Sequence, residues 1–189
     1  DRCIVLDKGK IVYDGGVEES INVYMNTTKK LEVINDCSKK RTGIPADNQI
    51  HIDMVTIQNT DFPMYHNGDT VCVKVDYTCK RNISNLAMRM TVQAGDKTIV
   101  GLATSRPCIK AHEGINHTTL TLAIDWLAPG KYIIKLTAYS VNEFGMNQMH
   151  DIVDDCFAFE KVQSMGDNNR MNWNHSWWGY MMFPELEVK

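Results

Sequence analysis

The sequence has no apolar run approaching the ~20 residues that cross a bilayer. It has no large excess of either charge. A formal net charge of −3 offers nothing to a phosphate backbone, so nucleic acid is not an expected partner. Its six cysteines, Cys3, Cys37, Cys72, Cys79, Cys108 and Cys156, form no C-x-x-C pair. Its six histidines make no H-x-x-x-H pair and join no cysteine cluster, so neither metal nor other cofactor is expected. No G-x-x-x-x-G-K-[ST] loop is present: Gly9-Lys10 and Gly130-Lys131 are each followed by an apolar or aromatic residue. A G-x-S-x-G elbow is also missing. Asp125, Glu143 and Asp151 could be offered as a glycosidase pair, but nothing singles them out. Asp154 and Asp155 are adjacent, and in a strand they would point to opposite faces. The expectation is a chain without catalytic residues.

What is there divides unevenly. Residues 1–26 read as strand, tight turn, strand and helix. Ile4, Val5 and Leu6 form a short apolar run, and Gly9 suits a hairpin turn. Ile11, Val12 and Tyr13 return, and Gly15-Gly16 break the strand. Val17, Ile21, Tyr24 and Met25 then recur at the spacing of one helical face. Residues 27–49 are polar and carry five Lys and Arg; they read as a connector with little regular structure.

From residue 50 the period is two. Val71, Val73, Val75 and Tyr77 alternate with Cys72, Lys74, Asp76 and Thr78. Leu86 to Val92, Leu120 to Ile124 and Tyr132 to Ala138 alternate likewise, and Phe157 and Phe159 lie in a further strand. Turn chemistry at Asn67-Gly68-Asp69, Gly95-Asp96, Glu113-Gly114 and Pro129-Gly130 separates them. Short strands at this spacing, without intervening helices, predict an all-β antiparallel sandwich over residues 50–189.

The opening string resembles the end of an ABC-transporter ATPase domain. Asp1, Arg2, Leu6, Gly9, Ile11, Gly15 and Tyr24 stand at the matching places. The chain does not begin with Met, and the resemblance implies that residues 1–26 are the severed end of such a domain. The later stretches His66 to Tyr77, Leu127 to Leu136 and Phe157 to Val162 follow in an order similar to that of polysaccharide-exporting ABC ATPases. Those are the O-antigen or teichoic-acid export type, which carry an immunoglobulin-like sandwich that binds the exported glycan.

The resemblance implies a non-catalytic carbohydrate-binding domain with reduced thiols, cytoplasmic, at the inner face of the cell membrane. Its partners would be a lipid-linked polysaccharide and, through the missing ATPase domain, a transmembrane exporter subunit. In the best-known members of that family the final strand is exchanged between two subunits. The apolar stretch Trp177 to Val188 is its counterpart here, so a homodimer with this segment crossing over or packing at the interface is expected.

Sugars are bound by aromatic faces and by polar side chains. Arg89, Thr91 and Gln93 share one strand face, and Lys135, Thr137 and Tyr139 share another. Trp173, Trp177, Trp178 and Tyr180 cluster near Asn174 and His175. The candidate carbohydrate-binding residues are Arg89, Gln93, Tyr139, Trp173 and Trp177. The competing reading is a dimerisation or interaction module without glycan binding.

Overall fold

A computed structural model describes residues 2–7, 9–17, 19–20, 23, 31–41, 46–162, 173–184 and 186–188. The opening hairpin pairs β1 (Arg2–Asp7) with β2 (Lys10–Gly16) in antiparallel register. Gly9 turns it at φ +78°, a conformation open to a residue without Cβ. The next described residues, Val17, Glu19, Ser20 and Val23, are helical. Ser20 is buried and donates its hydroxyl to the Gly16 carbonyl at 2.7 Å and to the Cys3 carbonyl at 3.2 Å, tying helix to hairpin.

Two further sheets form the sandwich. One is four-stranded, ordered β10 (Gly114–Ala123), β6 (Thr70–Cys79), β4 (Ile50–Ile57), β3 (Ile34–Asp36). The other is ordered β5 (Met64–Tyr65), β12 (Asn147–Lys161), β11 (Gly130–Val141), β7 (Ile83–Ala94), β8 (Ile99–Thr104), with β9 (Ile109–Ala111) also on β7. Pairings are antiparallel except the short β5–β12 contact. The period-two residues of the sequence are the inner faces. Val71, Val73, Val75 and Tyr77 of one sheet meet Leu86, Met88, Ile134, Leu136 and Phe157 of the other in a single core. Phe159 lies edge-on to Tyr65 at 5.9 Å and tilted on Tyr132 at 5.6 Å. Each such fully buried large side chain contributes roughly 2–3 kcal/mol of apolar transfer.

The connector expected over 27–49 is in part sheet. β3 pairs with β4, and Cys37 donates its amide to the Asp53 carbonyl at 2.9 Å. The pattern here is inverted, which is why it reads as loop: Asn35 and Cys37 are buried while Ile34 is 61% exposed. Asn35 satisfies its amide on the Glu32 carbonyl at 2.8 Å. Cys37 and Cys156 meet in the core with sulfurs 3.3 Å apart. Arg41 reaches the buried Asp151 carboxylate at 2.8 Å, and Asp151 also accepts the Ile52 amide at 2.7 Å. Burial pushes the Asp151 carboxyl up from its ordinary value, against the Ile52 amide and Arg41, which favour its charge.

Asp154 and Asp155 do not simply alternate. Asp155 sits at φ +46° where the β11–β12 register shifts, a bulge that resets the strand's phase. Both become surface ion pairs, Asp154 with Lys135 and Asp155 with Lys97, each at 3.1 Å. A short helix, α1 (His175–Trp178), follows later, capped by the Asn174 side chain accepting the Ser176 amide. Four residues are too few to show a helical period in sequence.

Candidate functional site

β7 and β11 are neighbours, so the two polar strand faces read separately in the sequence are one surface. Thr137 stands opposite Arg89, Lys135 opposite Thr91, and Ile133 opposite Gln93. This is the outer face of the larger sheet, continued by Thr104, Leu102 and Ile99 on β8. The Arg89 guanidinium lies over the Tyr139 ring, 4.9 Å from its centroid. Its Nη2 faces the Met149 sulfur at 4.0 Å, while its buried Nε has no hydrogen-bond partner among the described residues. Tyr139 is 7% exposed although it points away from the core. Gln93 lies farther along the same face and donates to the Lys97 carbonyl at 3.5 Å, in the β7–β8 turn. On β8, Ile99 and Leu102 are 68% and 59% exposed, so the face combines a cation, hydroxyls, an aromatic and aliphatic edges.

Trp173 and Trp177 lie elsewhere on the molecule's surface. The tail docks on the β10–β11 turn: Ala128 donates to the Tyr180 carbonyl and Met182 to the Trp126 carbonyl, each at 2.9 Å. Met181 bridges Leu127. His175 stacks on Tyr180 at 4.7 Å and fills the notch left by Gly130, where a Cβ would come within 2.5 Å of the imidazole. Burial holds the His175 pKa below the ordinary 6.5. Trp173 donates its indole N–H to the Gly179 carbonyl at 2.7 Å and meets Trp178 edge-on. Trp177 is 79% exposed. No hydrogen bond or ring contact among the described residues joins these tryptophans to Arg89, Gln93 or Tyr139. The five candidates therefore divide into a sheet-face group and a tail group.

A third group escaped the sequence reading. At the far end of β11, Ser140 is hydrogen-bonded to His150 Nε2 at 2.9 Å. His150 Nδ1 meets both carboxylate oxygens of Asp47 at 2.9 and 3.0 Å. His150 is fully buried. Burial alone would raise the Asp47 carboxyl, but the Gln49 amide, His150 and Gln148 together hold it below its ordinary value. No local signal marks this chain of three residues, because Asp47 comes from the supposed connector and the other two from opposite strands of a hairpin.

Among the described residues no group of three His, Cys, Asp or Glu is placed to hold a metal, and no helix is long and apolar enough to cross a membrane. No protein-family model and no curated protein matches the chain. Among solved structures, the CARDB domain of a Pyrococcus furiosus protein in complex with di-metal ions covers 64% of this chain and 95% of its own at 10% identity, with a TM-score of 0.34. A Niemann-Pick type C2 protein from Japanese carpenter ant covers 58% and 89% at 9% identity, with a TM-score of 0.36. Neither likeness is close enough to carry an argument. A crystal structure of the C-terminal domain of wzt aligns over 85% of this chain and 99% of its own at 14% identity, with a TM-score of 0.61. The two-sheet body described above is a sandwich with the fold of the wzt C-terminal domain.

Proposed function

We propose that this chain is the non-catalytic carbohydrate-binding part of an ABC-exporter ATP-binding subunit. In this reading residues 1–26 are the end of the ATPase domain, and the sandwich recognises a lipid-linked surface polysaccharide of O-antigen or teichoic-acid type for export. The observation that carries it is the Arg89–Tyr139 pair on the outer sheet face, beside Thr91, Thr137 and Gln93. A guanidinium held over an aromatic ring, with exposed Ile99 and Leu102 on the same face, suits a sugar, whose hydroxyls accept and whose C–H faces pack on apolar surface. The shared fold agrees with this placement in an exporter subunit. The complex would sit at the cytoplasmic face of the membrane, against a transmembrane partner bound through the ATPase domain.

The apolar tail fits a homodimer in which this segment crosses over or packs at the seam. Phe183, Leu186 and Val188 are 73%, 93% and 98% exposed in the single chain. Trp173 and Trp177 would then lie near the seam and contribute to the glycan surface from there.

The test is calorimetric titration of the protein with the source organism's purified surface polysaccharide. Saturable binding that falls at least tenfold on Arg89→Ala and on Tyr139→Ala is the expected result. A folded dimer with no affinity for the polysaccharide would instead make the sandwich an assembly module.

A further inference from the structure

The end of the sandwich beyond Ser140 holds a cavity of about 230 Å3 that the outer-face reading does not use. Its walls are almost wholly polar side chains whose hydrogen-bonding ends are already fixed by the fold. Asn82 accepts the Glu113 amide at 2.8 Å, and Asn142 accepts the amides of Phe144 and Met146 at 3.0 and 2.9 Å. Each therefore spends its carbonyl oxygen on backbone and keeps its NH2 end for another partner. Asn85 does the reverse, donating to the Val141 carbonyl at 2.5 Å. Gln148 donates to Asp47 at 2.7 Å, so both keep an oxygen. Ser140 is 7% exposed and ends the Asp47–His150–Ser140 relay of hydrogen bonds. Arg81 also lines the cavity.

We infer that this end pocket is a second saccharide subsite, sized for a single sugar residue or similar polyol. The donor and acceptor ends on its walls are both preset, and a sugar hydroxyl is the group that is donor and acceptor at once. The cavity lies below the roughly 300–1,000 Å3 of drug-sized sites, which suits one ring and not a chain. No Phe, Tyr or Trp lines it and the His150 ring is fully buried, so neither a nucleobase nor the flat face of a sugar has a stacking partner there. The ring would be read by its hydroxyl edge. The ligand class follows from this donor set and agrees with the function proposed above; the location is independent of the outer face.

The test is an amide-detected NMR titration with mannose, galactose, glucose and N-acetylglucosamine, each to 100 mM. The expected result is a saturable shift for at least one sugar, concentrated on the side-chain amides of Asn82, Asn85, Asn142 and Gln148. Asn82→Asp and Asn142→Asp keep the oxygen that holds the backbone and remove only the free NH2. Together they should weaken that sugar at least tenfold. Shifts for none of the four sugars, or shifts that survive the double variant, would overturn the inference. Polysaccharide binding abolished by Arg89→Ala but untouched by the double variant would also overturn it and leave the proposed function standing. Covalent labelling of Ser140 by a fluorophosphonate would overturn it too, by making the relay a nucleophile's.

Discussion

At the β10–β11 end of the sandwich, Trp126, Met182, Phe183 and Pro184 line a cavity of about 240 Å3; at the β11–β12 end, Ser140, Asn142, Gln148 and His150 line one of about 230 Å3. The sizes match and the chemistry is opposite. The first end is closed by the chain's own tail, with Trp126 edge-on to Phe183 at 6.2 Å. It is also buttressed from within: buried Lys161 donates to the Ile124 and Asp125 carbonyls at 3.0 and 2.8 Å, and the Tyr132 hydroxyl donates to the Ala128 carbonyl at 2.7 Å. At the second end the side chains are held by hydrogen bonds, Asn142 to backbone and Ser140, His150 and Gln148 in a chain that runs to Asp47. One sandwich thus carries an apolar seam at one end and a preset polar mouth at the other.

The comparison can be broken most sharply from the aromatic end. Phe159→Ala removes the ring that joins Tyr65 to Tyr132 and should cost about 3–5 kcal/mol in urea unfolding. Lys161→Met keeps the stem but strips two buried carbonyls of a charged donor, for a loss of about 2–3 kcal/mol by the same measurement. At the polar end, His150→Ala deprives Asp47 and Ser140 of their partner and should cost about 2 kcal/mol. Its companion is a pH effect. Asp47 titrates below its ordinary 3.8 in the fold, so its contribution is complete above that value and is lost as pH falls through the lowered one. Asp47→Asn should flatten that acid limb in denaturant midpoints taken from pH 5 to roughly pH 2.

The tail offers a gentler test. His175 is harder to charge when docked than when free, so docking is complete above pH 6.5 and weakens as pH falls through the lowered folded value. Tryptophan emission from Trp173, Trp177 and Trp178 should report the release, and Gly130→Ala should mimic it at neutral pH by crowding His175. Trp177→Ala is the smallest change: at 79% exposure it should move stability by under about 0.5 kcal/mol, so any loss of polysaccharide binding belongs to recognition.

The alternation in the chain was enough to define the sandwich, because a half-buried strand must place its apolar residues two apart. Leu86, Met88, Met90 and Val92, and Tyr132, Ile134, Leu136 and Ala138, all face the core as read. Where burial used polar atoms the reading failed. Asn35 and Cys37 sit inside while Ile34 sits outside, so the segment of β3 reads as a connector. Arg89 and Tyr139 were legible as outward residues of separate strands, but nothing in their own segments says that β7 and β11 are neighbours.

The inward residues of the regularly alternating strands, and the turns between them, are legible in the amino-acid sequence, since both follow from local backbone geometry and side-chain polarity. Which strands lie side by side is settled by global packing. That pairing set Arg89 over Tyr139, sat His175 in the Gly130 notch, and drew Asp47, Ser140 and His150 into one chain of hydrogen bonds at 2.9–3.0 Å. Asp47 and His150 are 103 residues apart, and a bond across that distance is chosen by global packing, not by any local pattern.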